Sequence, residues 1–341
     1  MASGGTFRRY AVITPTAWAV GLAALVVVSV LVVGRASAVG PYPALGSCSV
    51  FPQPPASLSP RAPSLPTEAA WNQDVSKAPR DPRSSAYIAY INAHGGDHLH
   101  PDFGSPRAYG FPYAVVGGQR QLPVHYTAYG DESDPGPFPV PAKAPVEGGN
   151  GSDGDRHVLV VDRSACKLYE LYRAFYVAKP HPHWNADSGT AWDLRSSARR
   201  PDGWTSADAA GLPIFPGLVR YDEVAAGHLD HAIRVTFEST RNAWVHPASH
   251  CAGDTSDPSA PPMGLRLRLK AGFGLGGFSG PAKTIALAMK RYGLIVADNG
   301  SNWFFSGTSD RRWDDENLNQ LKRIPGSAFE VVKSAASVHS C

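Results

Sequence analysis

Apolar positions along this chain come mostly in short runs broken by Gly, Pro, Asn and Asp, which is the rhythm of strands joined by turns. Eight runs predict strands: 113–116, 122–126, 157–161, 167–172, 231–237, 265–269, 294–297 and 303–305. Leu265, Arg266, Leu267, Arg268 and Leu269 alternate strictly, as a strand with one wet face should. Helical spacing appears in three places. Residues 281–292 place Ile285, Met289 and Tyr292 on one face, with Pro281 in the first turn and Gly293 as the stop. Asp81-Pro82 opens a second helix carrying Tyr87, Ile88 and Ile91, ended by Gly95-Gly96. Asp314 or Asp315 caps a third, with Leu318, Leu321 and Ile324 as its stripe and Pro325-Gly326 as its stop. Many short strands and few helices predict a mainly β protein, an antiparallel β-sandwich or jelly roll with helices at its rim. It is expected to act as a monomer.

The N-terminus follows a different pattern. Arg8 and Arg9 precede an apolar run from Trp18 to Val33, and Ala36-Ser37-Ala38 supplies the small-x-small pattern of a signal-peptidase site. The run falls short of the ~20 residues that span a bilayer. Cleavage after Ala38 and a secreted, extracellular location are therefore expected, the alternative being an N-terminal segment retained as the only membrane anchor. Residues 39–70 form a Pro/Ser-rich extended segment, and 71–341 are expected to fold as a single β-rich domain that begins near Trp71.

Charge narrows the partners. Without 1–38 the chain loses three Arg and no acid, leaving 29 Lys+Arg against 29 Asp+Glu. No basic stripe remains for phosphates, so nucleic acid is not the expected partner. Four cysteines far apart, in a chain bound for an oxidising compartment, read as two disulfides. Three pairings are open, and a free thiol is the alternative. Cys48 with Cys166 and Cys251 with Cys341 is the expectation, because the first pins the extended N-terminal segment to a strand and the second ties down the C-terminus.

Several motifs carry chemistry on paper. Gly272-Phe-Gly-Leu-Gly-Gly277 satisfies the dinucleotide pattern G-x-G-x-x-G, with Asp298 ending the next strand. The preceding strand, however, carries Arg266, Arg268 and Lys270 on one face, whereas the first strand of such a unit is buried on both. No cofactor is expected. No nucleophile elbow or H-E-x-x-H is present, and Pro281 spoils the nearest match. His98, His100 and Asp102, beside Asp97, form the one compact grouping with metal-ligand spacing, but a solvated Gly-flanked loop is the favoured reading and no metal is expected. Period-two alternation puts Glu170 on the Cys166 face of its strand, between aromatics, so that if Cys166 is buried in a disulfide Glu170 points inward or into a groove, where a carboxylate must be paired, hydrogen-bonded or functional. Glu223 and His231 flank a short turn entering a strand, and His157 opens the apolar run 158–161.

Gly154-Asp-Arg-His-Val-Leu-Val-Val-Asp162, Gly211-Leu-Pro-Ile-Phe-Pro-Gly-Leu-Val-Arg-Tyr-Asp-Glu223, Asp230-His-Ala, Pro261-Pro-Met-Gly264 and Tyr292-Gly-Leu-Ile-Val-Ala-Asp-Asn-Gly300 together resemble a family of exported bacterial proteins of no assigned function. That resemblance implies an exported, single-unit, β-rich protein and no particular reaction. Export, neutral charge, β architecture, seven tryptophans beyond the signal, and acids among aromatics point to a carbohydrate-active protein. A polysaccharide hydrolase or lyase would use paired carboxylates, with Glu170 and Glu223 the first candidates, His157 and His231 their neighbours, and Asp298 next. The alternative is a non-catalytic glycan-binding or cell-surface structural module, which needs the aromatics but no paired acids.

Overall fold

A computed structural model describes residues 45, 48, 70–105 and 109–341; the expected signal segment and nearly all of the Pro/Ser-rich segment lie outside the described residues. Within it, the run with no polar interruption sits at the centre of a sheet. Val158–Asp162 is buried along its whole length, as a strand covered on both faces must be. Its four-stranded sheet is ordered Tyr113–Val116, Val158–Asp162, Lys167–Tyr172, Ser188–Asp193. Val158, Val160, Tyr169 and Leu171 on one face pack against Trp184, Ala186 and Phe138. Trp184 and Ala186 belong to a three-stranded sheet, Val124–Tyr126, His183–Ala186 and Phe175–Val177, so these two layers stack in sandwich fashion. Leu159, Val161, Leu168 and Trp192 on the other face meet Phe111, Ile214, Phe215 and Leu218.

A six-stranded sheet carries the largest core. Its order is His100–Asp102, Phe304–Ser306, Ile233–Phe237, Leu294–Asn299, Arg266–Leu269, Phe329–Val331. The helices Ser84–Ala93 and Gly280–Arg291 cover it with Tyr87, Ile88, Ile91, Ile285 and Met289. The third expected helix is a short one, Asp315–Asn319, continued as a 3-10 turn over Gln320–Arg323. Asp314 caps it by accepting the Asn317 N–H at 3.1 Å, and Leu318, Leu321 and Ile324 are its buried stripe. A last three-stranded sheet, Pro262–Met263, Arg241–Val245 and Val338–Ser340, brings in the C-terminus. The disulfides Cys48–Cys166 and Cys251–Cys341 are both formed, in the expected pairing.

The architecture is mainly β with few helices, as the sequence pattern predicts, and its pairing is mixed within every sheet. Leu294–Asn299 runs parallel to Ile233–Phe237, because the long connection 238–293 lets the chain return in the same direction. Arg266–Leu269 runs antiparallel to Leu294–Asn299 although the glycine-rich segment and a helix lie between them. A dinucleotide unit needs those two strands parallel, so Gly272–Gly277 is a turn. The expected wet face of Arg266–Leu269 is covered instead. The guanidinium of Arg268 donates to Glu330, at 2.9 Å from Nε, and to the Val75 and Ala78 carbonyls, while Arg266 reaches the Ala70 and Gln73 carbonyls. The segment entering the domain lies across that face and uses the arginines to satisfy its own carbonyls.

Candidate functional site

Period two places Arg234 and Thr236 on one face of Ile233–Phe237, opposite Val235 in the core. Arg234 is the hub of the site. Its Nη1 donates to Ser306 Oγ at 2.8 Å, and its Nη2 donates to Asp208 Oδ1 at 2.5 Å and to Asp298 Oδ2 at 3.4 Å. Because both carboxylate oxygens touch one nitrogen, those two oxygens lie within about 6 Å of each other. Asp208 is fully buried and its Oδ2 has no hydrogen-bond partner. Asp298 keeps 26% of its side chain exposed.

His157 closes the cluster from the other sheet. Its Nδ1 donates to Glu147 Oε2 at 2.5 Å and its Nε2 to the Ala207 carbonyl at 2.9 Å. Two donating nitrogens describe an imidazolium. Burial alone would depress this group, but the Glu147 carboxylate outweighs burial and raises it to about 9. Glu147 answers in kind: burial pushes it up, and His157 holds it below the ordinary carboxylate range. Burial pushes Asp298 up, the Asp208 carboxylate adds to the rise, and the pull of Arg234 leaves it at about 7. Burial raises Asp208 as well, against Arg234. Asp102, register partner of Ser306, is also raised, by burial and by Glu147.

Of these groups, His157, Asp208 and Asp298 line a cleft of about 170 Å³. Tyr129, Asp155, Tyr172, Ser206, Asp208 and Asp298 form its wall, with His157 and His250. The segment that supplies Asp208 is fixed by Ser206, whose Oγ donates to the Leu212 carbonyl at 2.6 Å and accepts the Asp208 N–H at 2.9 Å. His250 holds the neighbouring residue through the Ala209 carbonyl at 2.9 Å.

Of the sequence candidates, His157 and Asp298 come together in this cleft. Glu170 points inward as alternation requires, but it has no exposed surface and both oxygens are occupied. Oε1 accepts the Phe215 N–H at 2.9 Å and the Ile214 N–H at 3.0 Å; Oε2 accepts Trp192 Nε1 at 3.2 Å. It anchors the turn Phe215–Gly217 to the four-stranded sheet. Glu223 and His231 do meet each other, at 3.2 Å, but away from the cleft lining. Arg220 Nη2 holds the other Glu223 oxygen at 2.5 Å, and Arg220 and His231 keep Glu223 low in spite of burial. His98 is exposed and paired with Asp97 at 2.7 Å, while His100 stacks on Phe304 with ring centres 4.1 Å apart. Among the described residues, no group of three or more His, Cys, Asp or Glu converges for a metal.

Asp208, Arg234 and Glu147 are the cluster members that the sequence pattern does not single out. Arg234 sits where a strand alternates, so its buried side is readable, but its partners come from residues 26 to 87 positions away. Comparison with family models, with curated proteins and with solved structures finds no match for this chain.

Proposed function

We propose that this is an exported carbohydrate-active protein that hydrolyses glycosidic bonds in the cleft between the two larger sheets. The observation that supports this is the Asp208 and Asp298 pair on one arginine, with Asp298 held near neutrality and open to the cleft. Glycoside hydrolysis needs one carboxyl group protonated and one ionised within reach of the same bond. Asp298 is the acid. Its proton passes to the glycosidic oxygen, the bond from that oxygen to the anomeric carbon breaks, and the alcohol departs. Asp208, closer to Arg234, supplies the negative charge that balances the oxocarbenium-like carbon. A water then adds to that carbon and returns a proton to Asp298. Tyr129 and Tyr172 are the aromatic residues of the cleft lining, and His157 keeps the Ala207 carbonyl, next to Asp208, in place. The two disulfides fit a secreted protein.

Asp298→Asn keeps the shape and the Arg234 contact and removes the acid. It is expected to cut the rate at least ~100-fold and to leave the melting temperature unchanged, on whichever substrate of a polysaccharide panel the wild type cleaves. Wild-type activity is expected to fall as pH rises through about 7, where Asp298 loses its proton. New reducing ends without unsaturated ends identify hydrolysis. Unsaturated ends would replace it with lyase chemistry, and binding without cleavage would leave the non-catalytic glycan-binding module.

A further inference from the structure

Asp298 is one end of a row that crosses four strands. Register pairs Asp298 with Thr236, Thr236 with Phe304, and Phe304 with His100. Residues paired in this way share a face, and Arg234 marks that face as the one carrying the acid pair. All four are partly exposed, while Val235, Phe305 and Pro101 on the opposite face are buried. The turn after Asn299 crosses Thr236 at Gly300, where a Cβ would come within 3.0 Å of Thr236 Oγ1, so glycine keeps the crossing low. At the far end the face opens into a second cleft of about 350 Å³. There the imidazole of His100 lies flat on the Phe304 ring, at an interplanar angle of 8°. Tyr109, 57% exposed, stands beside them. Asp102, Asn319 and Lys322 complete the wall with an acceptor and donors. Asp315 is already bound to the Ser105 N–H and Oγ, at 2.8 and 2.5 Å.

We propose that this second cleft is a distal sugar subsite of the same binding track, so that the ligand is a neutral polysaccharide chain lying across the strands and not a mono- or disaccharide. This rests on the glycan assignment made above. Three strand spacings of ~4.8 Å separate His100 from Asp298, about 14 Å, which is more than a disaccharide covers. Flat aromatic surface beside mixed donors and acceptors, with neither charge sign dominant, is the chemistry that hydroxyl-bearing rings use.

The test is calorimetric titration of Asp298→Asn protein, which binds without turnover, with cello-, xylo-, malto- and chito-oligosaccharides from disaccharide to hexasaccharide. Affinity should rise roughly tenfold between disaccharide and hexasaccharide, the scale of one stacked ring with its hydrogen bonds. Adding His100→Ala or Lys322→Ala should remove most of that gain and leave disaccharide affinity unchanged, with melting temperatures within a degree or so of the parent. A gain with length that both variants retain, or a loss equal at every length, overturns the distal subsite while leaving the glycan assignment standing. Binding of no oligosaccharide by any of the proteins rejects both.

Discussion

Replacing Glu170 with Gln removes a charge while keeping the size and most of the hydrogen bonding of a fully buried group. Burial drives the wild-type carboxyl from its ordinary 4.5 to about 7, against the pull of the Phe215 and Ile214 N–H groups. The folded protein therefore holds a proton that the unfolded chain releases near pH 4.5. Stability tied to that proton is complete below 4.5 and is lost as pH rises through 7. At 1.36 kcal/mol per unit, a rise from 4.5 to about 7 corresponds to about 3 kcal/mol. Glu170→Gln cannot titrate in this range. At pH 5 the variant should be less stable than wild type by about 1 kcal/mol, since an amide meets the Trp192 donor with only one suitable oxygen. By pH 8 the order should reverse, with the variant ahead by about 2 kcal/mol. Urea denaturation of both proteins at intervals from pH 5 to 8 measures the difference directly. Asp298 and His157 titrate in both proteins, so their contributions largely cancel in the comparison. A stability difference that stays flat with pH would refute the perturbed carboxyl, and a full loss of cleavage in a variant that folds normally would return Glu170 to the catalytic candidates.

Two further outcomes follow from the ionic and covalent links. Glu147→Gln leaves the His157 imidazolium buried without its counter-ion, which should cost about 2–3 kcal/mol at pH 6. Wild type loses its His157 stabilisation as pH rises from 6.5 through about 9, so the gap between the two in urea denaturation should close by pH 9.5; a gap independent of pH would show that His157 is not charged. Reduction of Cys48–Cys166 and Cys251–Cys341, which close segments of 118 and 90 residues, should release about 4 kcal/mol each in the chain-entropy account and lower the melting temperature by more than about 5 °C. An unchanged melting temperature after complete alkylation would contradict it.

Elements whose pattern is local were legible in the sequence. The strands Tyr113–Val116 and Lys167–Tyr172 fall where the apolar run predicts them, and the helix Gly280–Arg291 is set by its own stripe and stop signals. Strands with a weaker apolar pattern, such as His183–Ala186 and Arg241–Val245, were not legible: their residues alternate polar and apolar too irregularly, and pairing with neighbours makes them strands. His100–Asp102 is a further case, because Phe304–Ser306 supplies its partner. The disulfide pairing followed from where the chain needed tying. The direction of strand pairing did not, since it depends on the route of a long connection. Within the site, alternation turned Glu170 inward, and the end of the apolar run 294–297 placed Asp298 at a strand end. Asp208 could not be read, because Ser206-Ala-Asp-Ala-Ala has the look of any polar turn and only Arg234 from a distant strand gives its carboxylate a partner.

Three acids singled out by different local signals, alternation for Glu170, a turn entering a strand for Glu223 and a strand end for Asp298, thus come to different physical ends. Such signals bear on where a side chain points. They do not detect what occupies the oxygens or whether solvent reaches them. Glu223 is clamped between Arg220 and His231 and pulled low, so it is an ion-pair anchor without a proton to give. Glu170 is raised to about 7 but sealed, with backbone and indole N–H groups on both oxygens. Asp298 reaches the same value by the same cause, burial, yet a quarter of its side chain faces a cleft and a second carboxylate shares its arginine. A proton held near neutrality is useful for catalysis only where a substrate atom can approach it, and by that requirement the proposed chemistry belongs to the exposed edge of the Asp208–Arg234–Asp298 cluster and not to the more deeply buried acid.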